Sequence, residues 1–341
     1  MLAFPGMKRL FKWFGIVVGA VVAVVVLLAG AAYAWVSASW DGDYSAMPRP
    51  AIVASTDPAV IAHGEYIFNA VAHCSICHGG PTSKDRKRGD RPSMAGGLIF
   101  HADPFGTFVA RNLTPDRETG VGAQSDADLG RVVRSGVDHQ GRFVPFMKLA
   151  VGPMADEDLT AVISYMRSLA PVRRQEEPEV WGFLGKYLAA TNLKPAAKVP
   201  PPYVAASAEP SAARGAYLAN GPAACRFCHT KHDAMAGFVE TSVPFSGGDV
   251  QADETDPTSE LQAPNLTPDP KSSPIAAWDE ATFLTRFRGG KVFRGSDMPW
   301  ENVAEMTDAD VRSLYRYLRS LTPVAVVAAP SHRPTGWKTA G

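Results

Sequence analysis

The pentapeptide Cys74-Ser75-Ile76-Cys77-His78 recurs as Cys225-Arg226-Phe227-Cys228-His229. The spacing C-x-x-C-H suits covalent attachment of a c-type haem. Each thiol can add to one vinyl group of the porphyrin, and two intervening residues let one turn of backbone span both. The adjacent imidazole then reaches the iron from the same side. Two other chemistries use paired cysteines, structural zinc binding and dithiol redox exchange. A zinc site needs four ligands gathered together, and each half of the chain offers one Cys pair. A thioredoxin-like dithiol belongs to a strand–helix pattern that the sequence does not display. All four cysteines of the chain lie in the two motifs. The expectation is therefore two covalently bound haem c, one on Cys74, Cys77 and His78 and one on Cys225, Cys228 and His229, with no thiol left for disulfides.

The elements that must position these motifs also come in duplicate. Gly64 and Tyr66 match Gly215 and Tyr217 at the motif offset of 151 residues. Asn112-Leu113-Thr114-Pro115-Asp116 recurs as Asn265-Leu266-Thr267-Pro268-Asp269, Met147 aligns with Met298, and Arg167-Ser168-Leu169 recurs as Arg319-Ser320-Leu321. Order and spacing hold over about a hundred residues, which marks a duplicated domain. Each copy opens on a helix running into the motif. In the first, Ser55 or Thr56 caps it, Pro58 sits in its first turn, and Ile61, Tyr66, Ile67 and Val71 line one face. In the second, Ser211 begins the equivalent helix. A long loop region of poor periodicity follows, and a final helix closes each copy, Asp156 to Leu169 and Asp308 to Leu321. Gly64 would let the last helix approach closely, with Tyr165 or Tyr317 as its packing partner.

This pattern resembles the class I cytochrome c domain, a small helical fold around one haem, over residues 55–170 and 208–323. Asn-Leu-Thr-Pro-Asp downstream of C-x-x-C-H is similar to the cytochrome subunits of membrane-bound alcohol and gluconate dehydrogenases. Pro104-Phe105-Gly106-Thr107, Thr119-Gly120-Val121-Gly122 and Met298-Pro299-Trp300 fit the same family. Those subunits typically carry three haems, and this chain has two motifs. The resemblance implies an all-α fold and a methionine completing each iron from the far side, which raises the potential relative to two histidines. Met147 and Met298 are the candidate ligands, the second in the stronger Met-Pro context. Met154 and Met306 are rivals that read as packing residues at the start of the last helix. His139 lies in the loop expected to cross the distal face and reads as a solvated residue. His232 follows its motif too closely to reach the far side.

The first forty residues differ in kind. Lys8, Arg9 and Lys12 precede an uncharged run from Gly15 to Trp35, 21 residues, against the about 20 that a helix needs to cross the hydrocarbon core. Trp13, Tyr33 and Trp35 lie near its ends, where aromatic rings favour the interface. A cleaved signal peptide is the alternative, with Ala32-Tyr33-Ala34 as its site, but such apolar regions are usually shorter. Residues 1–40 are thus expected to be a cytoplasmic stub and anchor in the inner membrane, with the rest of the chain in the periplasm. Residues 171–207 form a proline-rich linker, with Val180 to Ala190 a short amphipathic helix, and 324–341 form a tail. Basic Lys84-Asp85-Arg86-Lys87-Arg88 and acidic Asp249, Asp253, Glu254, Asp256 and Glu260 suggest docking loops of opposite sign. A formal net charge of zero gives nucleic-acid binding no electrostatic support.

The function expected is single-electron transfer by a membrane-anchored dihaem cytochrome c with no catalytic residue. Its partners would be a dehydrogenase or quinol-oxidising complex upstream and a soluble cytochrome or oxidase downstream. The alternative is a dihaem enzyme, a peroxidase or sulfur-compound oxidase, with one open haem. A haem-based gas sensor would need an output domain, which is not visible.

Overall fold

A 35-residue helix, α1 (Pro5–Ser39), begins the structure, a computed structural model that describes residues 5–82, 87–195, 205 and 207–338. Its segment Arg9–Ser39 is the one helix among the described residues long and apolar enough to cross a membrane. The valine, leucine and alanine side chains of its middle stand exposed.

Beyond α1, each half is built on a crossed helix pair. In the first half α2 (Pro58–Tyr66) continues through a π-helical turn (Ile67–Val71) into α3 (Cys74–His78), the motif helix. Asp57 caps α2, accepting from the Ala59 amide, while Ser55 Oγ accepts from the Asp57 amide. The cap expected at Ser55 or Thr56 thus falls one residue later, at the residue directly before Pro58. After a strand pair, α4 (Asp126–Ser135) and α5 (Pro145–Val151), the closing helix α6 (Asp156–Ser168) crosses α2. At the crossing a Cβ on Gly64 would lie 1.9 Å from the Ala161 carbonyl oxygen and 3.0 Å from Tyr165 Cβ. Only glycine lets the two backbones meet there.

The linker contains α7 (Phe183–Ala190), within the stretch expected to be helical. The second half then repeats the scheme of the first. Ser211 caps α8 (Ala212–Asn220), accepting from the Arg214 amide. The motif helix α9 (Cys225–Cys228), then α10 (Glu280–Arg288), α11 (Trp300–Val303) and the closing helix α12 (Asp308–Ser320) follow. A Cβ on Gly215 would lie 1.9 Å from the Ser313 carbonyl oxygen. Apolar side chains from both halves, among them Phe68, Leu159 and Ile163 with Leu218, Val311 and Leu314, form one continuous buried cluster.

The expected all-α class does not hold. Among the described residues, eight short strands form three small antiparallel sheets, ordered β1-β2-β3, β4-β5 and β6-β7-β8. Strands β1 (Ile99–Ala102) and β2 (Gly106–Val109) form a hairpin, with Ile99 opposite Val109, and the linker strand β3 (Val180–Trp181) adds to its edge. In the second half β4 (His232–Asp233) pairs with β5 (Val239–Glu240), and the hairpin β6 (Val250–Asp253)–β7 (Asp256–Gln262) takes on the tail strand β8 (His332–Pro334). The loop regions without helical period are thus hairpins and short helices. They satisfy their backbone groups by pairing with linker and tail segments.

Candidate functional site: two cysteine–histidine centres

Each motif helix is launched by a residue in the left-handed conformation, His73 (φ 51°) and Ala224 (φ 51°). This bend turns the chain from the preceding helix into the motif. The segment that then covers each motif histidine also repeats. Met94 (φ 58°) and Phe245 (φ 65°) are buried left-handed residues. Two residues further on, the amides of Gly96 and Gly247 donate to the carbonyl oxygens of His78 and His229, both at 3.0 Å. The amides of Leu113 and Leu266 close back onto the carbonyls of Met94 and Phe245.

The decisive contact is made by the histidine rings. His78 Nδ1 lies 2.8 Å from the Arg111 carbonyl oxygen and His229 Nδ1 lies 2.8 Å from the Pro264 carbonyl oxygen. A carbonyl only accepts, so Nδ1 carries the proton in both rings and Nε2 presents its lone pair. Burial lowers the proton affinity of both imidazoles, against the opposing hydrogen bonds, which favours the neutral ligand form. Burial, with the neighbouring thiol, pushes Cys74 and Cys225 up to about 12. Thiols held so high are poor thiolates at neutral pH, unlike a dithiol catalyst.

The asparagine motif explains why those carbonyls stay in place. Arg111 and Pro264 directly precede Asn112 and Asn265. Asn265 Nδ2 donates to Val324 O and Ser272 Oγ, both at 2.9 Å, and its Oδ1 accepts from the Thr267 amide and hydroxyl. Asn112 makes the corresponding bonds to Val172 O, Thr119 and Thr114. The chain leaving each closing helix is thereby tied to the loop that holds the histidine. Asp116 and Asp269 cap the turns that follow, at Thr119 and Ser272. Glu176 adds a linker contact in the first half, bonding the Arg111 side chain and the Asn112 amide.

Met147 lies in α5 and Met298 just before α11, both partly buried against the core. Met154 and Met306 are almost fully buried in that core. His139 stands exposed on the turn between α4 and α5. His232 lies against Phe227, with ring centroids 5.2 Å apart. Lys84, Asp85 and Arg86 of the basic loop lie outside the described residues. The acidic loop is no free patch: Asp253 caps Thr255, Asp256 caps Thr258 and Ser259, and Glu260 pairs with Arg333 at 2.5 Å.

Contacts between the halves were not legible beforehand. Tyr66 Oη donates to Asp310 at 2.6 Å, and Tyr217 Oη donates to Asp158. Within each half the same carboxylates take a further partner: Arg214 pairs with Asp310 at 2.8 Å, and His63 with Asp158 at 2.6 Å. Asn302 Nδ2 donates to Asn69 O at 2.6 Å and to Ser75 Oγ, inside the first motif, at 3.1 Å. The recurrence of Tyr at 66 and 217 and of Asp at 158 and 310 was the available signal.

Among the described residues no group of three or more His, Cys, Asp and Glu gathers as a metal cage. The donor set fits covalent haem instead: one imidazole with a free Nε2 beside two thiols, twice over. Comparison with known proteins agrees. The chain is 30% identical over 280 residues to the gluconate 2-dehydrogenase cytochrome c subunit of Pantoea cypripedii, covering 77% of this chain and 60% of that protein. It is 29% identical over 286 residues to the cytochrome c subunit of the quinone-dependent alcohol dehydrogenase of Komagataeibacter europaeus, covering 79% of this chain and 57% of that one. It is 27% identical over 315 residues to a dihaem cytochrome c-type protein of Cereibacter sphaeroides, covering 88% of this chain and 96% of that one. The chain is a homologue of dehydrogenase cytochrome c subunits. No family model matches it. It spans about three fifths of the length of the gluconate and alcohol dehydrogenase subunits. Homology to cytochromes c implies haem c.

Proposed function

We propose that this homologue is a membrane-anchored dihaem cytochrome c that passes single electrons in the periplasm. It would act as a subunit of, or partner to, a dehydrogenase or quinol-oxidising complex. The observation that carries the reading is the duplicated histidine geometry, with Nδ1 bonded to a fixed carbonyl and the Nε2 lone pair left for a ligand bond in both motifs. Residues 55–170 and 208–323 are the two haem domains, 171–207 the linker and 324–341 the tail, with α1 in the inner membrane. The lysines and arginines before the apolar run favour the cytoplasmic side, which leaves the motifs outside.

Haem supplies a one-electron couple when bound. Cys74, Cys77 and His78 would hold one and Cys225, Cys228 and His229 the other, with Met147 and Met298 as the far-side ligands. The chain's own work is to keep these groups still. Nδ1 bonding to Arg111 and Pro264 fixes ring orientation and raises ligand basicity. The buried Met94, Phe245 and their neighbours exclude water from the histidine side. Groups held this still would suit electron transfer rather than substrate turnover.

The test is haem stoichiometry with carbon monoxide difference spectra on the purified full chain. Two haems per chain, no carbon monoxide shift, and one haem after the double change Cys225→Ala and Cys228→Ala are expected. A shift at one haem that persists in Met147→Ala would replace this reading with an enzyme having an open iron.

A further inference from the structure

We propose that α7 is a membrane-surface helix that seats the first half of the chain in the phospholipid headgroup region beside α1. This rests on the reading of α1 as a transmembrane helix.

The first observation is the outward face of α7. Gly185, Leu188 and Ala189 point inward and are buried. Phe183 is 50% exposed and Tyr187 37%, and Val180 just before the helix is 62% exposed. A helix facing water carries polar side chains there; this one shows aromatic and aliphatic groups and no acid. Its single charge, Lys186, lies with Nζ 5.1 Å over the Trp40 ring. A long apolar stem with a charged tip beside an interfacial aromatic is how lysine sits at a lipid boundary.

The second observation fixes the depth. The Phe183 ring stacks on Tyr33 of α1, centroids 5.5 Å apart and planes within 10°. Tyr33 lies inside the uncharged run of α1, six residues before its end at Ser39, which is about 9 Å of helix. Phe183 therefore lies level with the end of the apolar run, not beyond it. Aromatic rings at that level favour the membrane interface, and the apolar face of an interfacial helix buries in the same zone.

The third observation is that α7 cannot float independently of the first half. A Cβ on Gly185 would lie 2.2 Å from the Phe105 carbonyl oxygen, so the helix is pressed onto the β1–β2 turn. Trp181 pairs with Gly106 in the sheet and contacts Trp40 at 5.3 Å and Phe108 at 5.1 Å. Phe108 contacts Phe146 at 5.0 Å, next to the candidate ligand Met147. An α7 held in the headgroups thus turns the Phe146–Met147 side of the first site toward the lipid surface. The occupant is the bilayer, because the apolar face is continuous with the helix that enters it.

The experiment uses the full haem-loaded chain in phospholipid nanodiscs. With all four native thiols consumed as thioethers, the wild type should take up no thiol label. Tyr187→Cys and, as an independent position on the same face, Phe183→Cys are labelled with a nitroxide. Val25→Cys in mid-α1 and Val292→Cys on an exposed loop of the second half are the references. Collision with oxygen and with a water-soluble nickel chelate reports depth. Labels at 187 and 183 should show an oxygen-to-nickel ratio several-fold above that at 292 and below that at 25. Labels at 187 and 183 matching 292 while 25 is deep would overturn the α7 proposal and leave the anchor standing. A label at 25 as nickel-accessible as that at 292 would overturn the anchor reading and the proposal with it.

Discussion

Replacing Asn265 with alanine should loosen the histidine of the second motif without touching it. Asn265 is buried and makes four hydrogen bonds, to Val324 O, Ser272 Oγ, and the Thr267 amide and hydroxyl. Each is worth about 0.5–1.5 kcal/mol net, and partners left unpaired in a buried site cost toward the upper end, so the expected destabilisation is about 4 kcal/mol. The same residue fixes the chain just after Pro264, whose carbonyl receives His229 Nδ1–H. A slacker carbonyl lowers the basicity of the imidazole, so the potential of that haem should rise. Denaturant unfolding of the full chain in detergent gives the first quantity, and potentiometric titration of the two proposed haems the second. Asn112→Ala should move the other haem, which assigns each potential to its half. A loss below about 1 kcal/mol, set against the hydrogen-bond range above, with both potentials unmoved, would refute the view that these asparagines hold the proximal loops.

Gly215→Ala would bring a Cβ to 1.9 Å from the Ser313 carbonyl oxygen, so α8 and α12 must part. Such overpacking costs about 1–3 kcal/mol or more, and haem loading and thermal unfolding should both suffer, as for Gly64→Ala. Asn302→Ala removes two bonds from the second half to the first motif and the turn before it; hydrogen exchange at residues 69–75, read by mass spectrometry, should quicken while the rest stays protected. His63 has its pKa raised by its hydrogen bond to Asp158, against burial. Its stabilising share is therefore full below the ordinary 6.5 and is lost as pH rises through the higher folded value. The stability gap between wild type and His63→Gln should narrow over that rise, whereas His63→Arg, mimicking the Arg214–Asp310 pair, should flatten it.

How much could be read from residue order depends on what each residue answers to. The motifs, the close-approach glycines and the asparagine loops answer to local chemistry or to a fixed backbone need, so their types and spacing recur and were legible. Pro58 announced α2, but the Asp57 cap lay one residue past the expected pair because Ser55 serves the cap residue itself. The strands were not legible, since β3 and β8 pair with hairpins some seventy residues away, and two- or three-residue strands carry no alternation. The same distance hid Asn302: nothing in its own neighbourhood says that its amide reaches Ser75 in the other half. The acidic loop looked like a docking patch because composition records charge but not the Thr255, Ser259 and Arg333 groups that engage it.

The two halves share a scheme but not an environment, and the difference bears on how a relay would run. Ser75, between the first pair of cysteines, is fully buried and receives Asn302 from the second half. Its counterpart Arg226 instead turns to Glu240 of its own half at 2.6 Å, with both side chains partly open to solvent. The residue between the first pair of cysteines is therefore held by the sister half, whereas its counterpart in the second is engaged within its own half. In the first half the aromatic contacts Trp40–Trp181, Trp181–Phe108 and Phe108–Phe146 lead from the end of α1 toward Met147. Were the halves independent beads on a linker, Tyr66 and Tyr217 would have no reason to reach across to Asp310 and Asp158. The reciprocal pairs hold the motifs in one fixed relation. In the proposed relay, the two sites then meet through protein rather than across a flexible linker.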